Sequence, residues 1–285
     1  MEPGSYGNDG SKRRFREKPT CEVKEMKFFA PRGEYPPCGM FTPLHFCGLA
    51  VCLVVIVVSL YYSRNMSERT LNRLPKIFGV AIACMEAFKI GYSFVNGYTD
   101  LNSWFPLSFC STFIYSLLLS GFGKGLPKAM ADAFIAVACP AAGLAYLLIP
   151  STSFQLYPFF HFQCFYSMFF HSCMICFGIL YLYRGIAAPN RKNFLLFAAY
   201  YGVFAAVAIV LNVAFKQNLM MLMEPFALPF RIVYVIHDFS VPLYTLFVSL
   251  FYLFPTWGFS YLIFRVIGRD RPVSDLSAGE KAEIK

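Results

Sequence analysis

Apolar residues fall in seven runs, at 40–62, 75–95, 104–122, 129–149, 163–183, 194–215 and 239–264. A helix needs about 20 mostly apolar residues to cross the hydrocarbon core of a bilayer, and each run is of that length. Polar breaks separate them at Arg64 to Lys76, Lys124 to Lys128, Arg184 to Lys192 and Lys216 to Asp238. The pattern predicts an all-α fold, a polytopic membrane helix bundle of about seven transmembrane helices over residues 40–264. The last run, rich in Phe, Tyr and Leu, is long enough to tilt. Ahead of the bundle, residues 1–39 are polar and rich in Gly, Pro and charge. They lack the short apolar region and small-residue cleavage site of a secretory signal and are expected to form a disordered basic tail. Residues 265–285 are expected to form a cytoplasmic C-terminal tail.

Composition agrees with the pattern. Of 285 residues, 57% are hydrophobic and 14% charged, against roughly a quarter charged in a soluble domain. Helices that turn their outer faces to lipid accommodate that excess. The formal charge of +9 does not point to nucleic acid, because Lys and Arg sit in tails and short loops, where membrane topology puts them. Arg64, Arg69, Arg73 and Lys76 mark the first loop, Lys124 and Lys128 the third, and Arg184, Arg191 and Lys192 the fifth. Arg265, Arg269 and Arg271 follow in the C-terminal tail, while the second, fourth and sixth loops offer only Lys216 and Arg231. This balance assigns the C-terminus to the cytoplasm and the N-terminus to the outside, against the pull of the cations in the N-terminal tail. Eight of the ten cysteines lie in or beside apolar runs and read as small hydrophobes. Cys21 and Cys38 are a candidate disulfide if the tail faces an oxidising space.

With that topology His45, His161, His171 and His237 all fall in the outer half. Cys110 lies roughly 9 Å into the third run, and His171 and Glu86 roughly 12–14 Å deep, at about 1.5 Å rise per residue. These depths let the three meet in one cavity. Glu86 and Lys89 share a helix face and can pair. Charges at such depth face a bundle interior or a water-filled cavity, so the pair reads either as an interhelical lock or as part of a site. Gln163, Ser167 and His171, spaced by four, form a polar stripe suited to interhelical hydrogen bonds. Cys173-Met-Ile-Cys176 has redox or zinc spacing but lacks a second pair, and reads as packing. Gly121-Phe-Gly123-Lys-Gly125 follows a membrane helix and not a strand, and reads as a turn. Leu219 to Met223 is too short to cross and reads as a re-entrant or interfacial piece over the polar cluster.

Taken in order, Phe41-Thr-Pro-Leu-His45, Met85-Glu86 with Lys89, Phe105-Pro-Leu-Ser-Phe-Cys110-Ser, His171 and Asn218-Leu-Met-Met-Leu222 resemble the bacterial YwaF proteins over about residues 40–260. That group is related to the animal transmembrane protein 164 type of acyltransferase. The resemblance implies an integral membrane acyltransferase that moves a fatty acyl chain between (ether) phospholipids through a Cys-His dyad, Cys110 as nucleophile and His171 as its partner. Glu86, Lys89, Ser108, His45, Asn218 and Ser167 are the candidate substrate-binding or supporting residues. The bacterial motif reads Leu-Pro-Leu-His-Leu-Cys, and Ser108 stands at its His, which leaves His171 as the base. No metal or other cofactor is implied. The implied partners are a phospholipid acyl donor and a lysophospholipid acceptor in the cell membrane. Two other classes fit the same residues: a small-solute transporter using Glu86 and Lys89 as a midplane coupling site, and a non-catalytic lipid-binding bundle in which Cys110 only packs.

Overall fold

Long apolar runs become helices because lipid leaves backbone N–H and C=O groups no partners but each other. The computed structural model describes residues 28–225 and 231–268, and among these there is no strand. Its helices are α1 (Pro43–Ser63), α2 (Glu68–Leu71), α3 (Leu74–Val95), α4 (Leu101–Trp104), α5 (Thr112–Phe122), α6 (Gly125–Val137), α7 (Cys139–Leu148), α8 (Phe162–Tyr183), α9 (Arg191–Phe215), α10 (Arg231–Phe239) and α11 (Val241–Gly268), with a 3-10 turn at Leu219–Met221. Five are long and apolar enough to cross a membrane: α1, α3 together with α2, α8, α9 and α11. The pair α6 and α7, bent by 44° at their junction, makes a sixth if taken as one span.

The expected count of seven is not confirmed, because the third run does not form one helix long enough to cross. Its helix α5 has 11 residues, roughly 16 Å at the usual helical rise, about half the hydrocarbon core. Phe105 is extended (φ −77°, ψ 123°), as steric conflict with the following proline ring requires, so the chain cannot run helically into Pro106. The segment nevertheless lies antiparallel along α3. Trp104 packs on Phe94 at 5.2 Å between ring centroids, and Gly121 lies against the backbone of Lys76. Non-helical backbone at this depth is tolerated where protein buries it, and Leu107 and Phe109 are buried.

The fourth run breaks for a related reason. Pro140 supplies no N–H and its ring crowds the carbonyl four residues back, so α6 stops at Val137 and α7 restarts at Cys139. This junction is the centre of the bundle: Ile135 through Cys139 are inaccessible. Helix α8 packs tightly on it. A Cβ on Gly143 would meet the His171 carbonyl at 2.7 Å, and one on Gly178 would meet the Pro140 ring at 2.5 Å. Small residues of this kind let membrane helices approach closely. Helices α1 and α11 lie outside, with Val51, Val54, Leu246 and Leu262 exposed to the surroundings.

Within the tail expected over residues 1–39, Phe28 to Gly39 are described and lie against the bundle. Their carbonyls and amides find partners at one end of the bundle. The Ala30 carbonyl accepts from Tyr92 Oη at 2.6 Å and His161 Nε2 at 3.0 Å, and Arg32 Nε donates to Tyr157 Oη at 2.9 Å. Cys38 and Gly39 donate their N–H groups to the Tyr157 and Phe154 carbonyls. Cys38 is a free thiol beside Thr42, and its candidate partner Cys21 lies outside the described residues. At the other end α11 runs helically to Gly268, into the region expected to be tail. Residues 1–27 and 269–285 lie outside the described residues.

Candidate functional site

Cys110 closes the irregular stretch that leads into α5. Ser108 shapes this stretch. Its Oγ accepts the Ser111 N–H at 3.0 Å and lies 2.8 Å from Ser111 Oγ, the local side-chain-to-backbone bonding that opens helices. Ser108 therefore caps a turn. Next to the thiol, Phe109 stacks flat on Tyr252 of α11, with centroids 4.3 Å apart and planes at 6°. Tyr252 Oη donates to the Met220 carbonyl at 3.2 Å. Cys110 packs, with Tyr252, against the core cluster that contains Cys139.

His171 is 6% exposed on α8. Its Nδ1 lies 2.7 Å from the Ser167 carbonyl, which can only accept, so Nδ1 carries the proton and Nε2 presents a lone pair. Nε2 is buried and has no hydrogen-bond partner. The phenol ring of Tyr146 lies parallel against the imidazole at 3.6 Å and 5°. Tyr146 Oη is 2.8 Å from Thr152 Oγ1 and 3.1 Å from Ser153 Oγ, with the Ser167 side chain alongside. No hydrogen bond joins Cys110 Sγ to His171 Nε2.

Glu86 and Lys89 pair, as their spacing predicts, with Lys89 Nζ 2.6 Å from Oε1. A third partner joins them: Tyr166 donates to Oε2 at 2.5 Å. Both carboxylate oxygens are therefore bonded, and Glu86 is 4% exposed. Lys89 is near enough to act electrostatically on His171. On the opposite side Glu86 borders a recess of about 200 Å³ between α3 and α5, walled by Ala83, Ala87, Pro106 and Tyr115.

The remaining candidates do other work. His45 accepts the Phe41 N–H at Nδ1 (3.0 Å), so Nε2 carries hydrogen and donates to the Leu147 carbonyl at 2.9 Å. Both nitrogens are spent, Nδ1 on the entry to α1 and Nε2 on tying α1 to α7. Asn218 Oδ1 accepts from the Met223 and Glu224 amides, and its Nδ2 donates to the Glu224 carbonyl. It organises the short segment expected to re-enter, in which Leu219, Met220 and Leu222 are buried. Tyr252, Tyr244 and Thr245 bond the carbonyls of Met220, Met221 and Leu222 in turn. Sequence reasoning missed Tyr146, Tyr166 and Tyr252, which lie in apolar runs without a spacing signal. It also missed a second buried carboxylate, Asp132, bonded to Lys128 and Ser120 at 2.5 Å each. The four-residue spacing of that pair was a readable signal. Among the described residues, no group of three or more His, Cys, Asp or Glu is placed to hold a metal ion.

Residues 40–261 match the model of the TMEM164 family, and the chain belongs to that family. No curated protein and no solved structure matches it.

Proposed function

From membership of the TMEM164 family, we propose that this multi-pass membrane protein is an acyltransferase. It moves a fatty acyl chain from a phospholipid donor to a lysophospholipid acceptor, with Cys110 as nucleophile and His171 as base. The observation that supports this most is His171 Nε2: a buried lone pair without a partner, its tautomer set by the Ser167 carbonyl. A buried imidazole nitrogen with nothing to accept is costly, and a proton-abstracting role explains its retention.

In the first half-reaction the Cys110 S–H proton passes to Nε2 and the thiolate attacks the donor ester carbonyl. The C–O bond to the glycerol breaks, and the departing oxygen takes the proton back from Nε2 as the acyl thioester forms. In the second, the acceptor hydroxyl gives its proton to Nε2 and attacks the thioester carbonyl. The C–S bond breaks and the thiolate recovers the proton. Sγ and Nε2 close to bonding distance when lipid is bound, as catalytic hydrogen bonds often do. Lys89 supplies positive potential for the thiolate or a lipid phosphate, and Glu86 orients it. The protein acts in the cell membrane with its N-terminus outside and its C-terminus in the cytoplasm.

The deciding experiment uses purified protein in liposomes with an alkyne-tagged acyl donor and no acceptor. Cys110 traps a hydroxylamine-sensitive acyl group, Cys110→Ala does not, and His171→Ala is slower by about 10²- to 10⁴-fold, the usual worth of base assistance. Cys173→Ala and Cys176→Ala remain active. Wild-type turnover by folded Cys110→Ala overturns the assignment. The broken α6–α7 span favours one other reading, a transporter, since such folds bind at broken helices. Altered solute uptake with unchanged lipid acyl composition, in cells with and without the gene, supports that alternative.

A further inference from the structure

The His171 ring is held by one hydrogen bond and by contacts with two aromatic rings. The bond from Nδ1 to the Ser167 carbonyl at 2.7 Å fixes the tautomer and one direction. A single bond of that kind leaves an imidazole free to rock about the N–H···O axis, which swings Nε2 through an arc. Tyr146 removes this freedom, because its ring covers one face of the imidazole with the planes 5° from parallel and 3.6 Å between centroids. Phe170 adds an edge contact at 5.1 Å.

Tyr146 is itself anchored. It sits near the end of α7, and its hydroxyl is held by Thr152 Oγ1 at 2.8 Å and Ser153 Oγ at 3.1 Å from the following turn. Close packing of α7 on α8 at Gly143 brings the two rings together. We propose that Tyr146 is a positioning residue: by stacking, it fixes the plane of the His171 ring and so the direction in which Nε2 accepts a proton. This inference rests on the acyl-transfer reading of the site. The ring, and not the hydroxyl, performs the task, because the stacked face is what opposes rocking.

The test compares Tyr146→Phe, which keeps the ring, with Tyr146→Leu and Tyr146→Met, which do not, in liposomes with the same donor lipid. A base displaced by about 1 Å loses on the order of 100-fold in rate, so Tyr146→Leu and Tyr146→Met lose about that much in kcat, with KM unchanged because no binding contact is removed. Tyr146→Phe restores the rate to within about threefold of wild type, well short of the 100-fold a misplaced base costs. Thermal midpoints in detergent identify any variant that has merely unfolded, and the two non-aromatic replacements guard against one of them doing so. Wild-type acylation rates in folded Tyr146→Leu or Tyr146→Met overturn the proposal. So does a Tyr146→Phe protein as slow as the non-aromatic pair, which transfers the role to the hydroxyl. If Cys110→Ala also turns over, it is the acyl-transfer reading that fails, and the Tyr146 comparison is not what removes it.

Discussion

Replacing Lys89 with Met should harm this protein more than replacing Glu86 with Gln, although the two residues form one pair. Glu86 is 4% exposed and accepts from both Lys89 and Tyr166. Taking away the cation leaves a buried carboxylate held by one phenol. Breaking a buried ion pair costs about 3–5 kcal/mol, and the surviving bond from Tyr166 puts Lys89→Met near about 3 kcal/mol, since hydrogen bonds to charged groups retain about 1.5–3 kcal/mol. In Glu86→Gln the amide oxygen still accepts from Tyr166. The orphaned Lys89 side chain is 23% exposed and can extend its ammonium toward the interface, so the expected loss is about 1–2 kcal/mol, one charge-assisted bond. The double variant removes both charges and should cost little more than Glu86→Gln alone, giving a coupling of about 2–3 kcal/mol in magnitude, within the range for residues in one network. Reversible SDS titration in mixed micelles, followed by circular dichroism, reads all three. Additive losses would show that the two charges face separate environments. A larger loss for Glu86→Gln would refute the assignment of Glu86 as the less exposed, more dependent partner.

Orientation is open to direct labelling. Single cysteines placed in the Asn190–Arg191 loop and near Gln155 of a cysteine-reduced variant should react with impermeant maleimide in intact cells only at the second position, and the reverse pattern inverts the topology. The strap from Phe28 to Gly39 should loosen on acidification, because burial holds the His161 imidazole below the ordinary histidine range, with the Ala30 hydrogen bond pulling the other way. The unfolded chain then binds the proton more readily. Stability is therefore intact above about pH 6.5, the unfolded value, and is lost as pH falls through the folded one. Proteolysis of the strap should rise between about pH 7 and 5, spanning that value, in wild type and stay flat in His161→Asn. Equal pH dependence in both proteins removes His161 as the cause.

Hydropathy located the helices that pack side by side without interruption. The run expected at 163–183 is the helix Phe162–Tyr183, and the run at 194–215 gains only its first turn, starting at Arg191 after an Asn190 cap whose side chain takes the Asn193 N–H. The Glu86–Lys89 pair was legible because both members sit on one helix, where spacing dictates contact. Tyr166 was not, since it reaches Glu86 across 80 residues of chain and local spacing carries no information about such a neighbour. Tyr146 is one of 18 tyrosines, and only the packing of α7 on α8 distinguishes it from the rest.

The two runs that do not form one long straight helix share a physical cause. Counting apolar side chains says nothing of the backbone, and Pro106 and Pro140 interrupt the backbone inside stretches that are otherwise apolar enough to cross. Both interruptions put irregular chain inside the bundle, and they share one core, where Phe109 packs on Phe134 of α6 at 5.6 Å between ring centroids. A membrane tolerates such backbone only where protein buries it or where it borders a cavity. Two costly departures from regular helix, brought together beside the candidate nucleophile, are the pattern expected when local rules are broken for a site and compensated by packing around it. The compensation is visible: Ile135 to Cys139 at the α6–α7 junction are fully buried, and the Phe109 and Tyr252 rings clamp the other break.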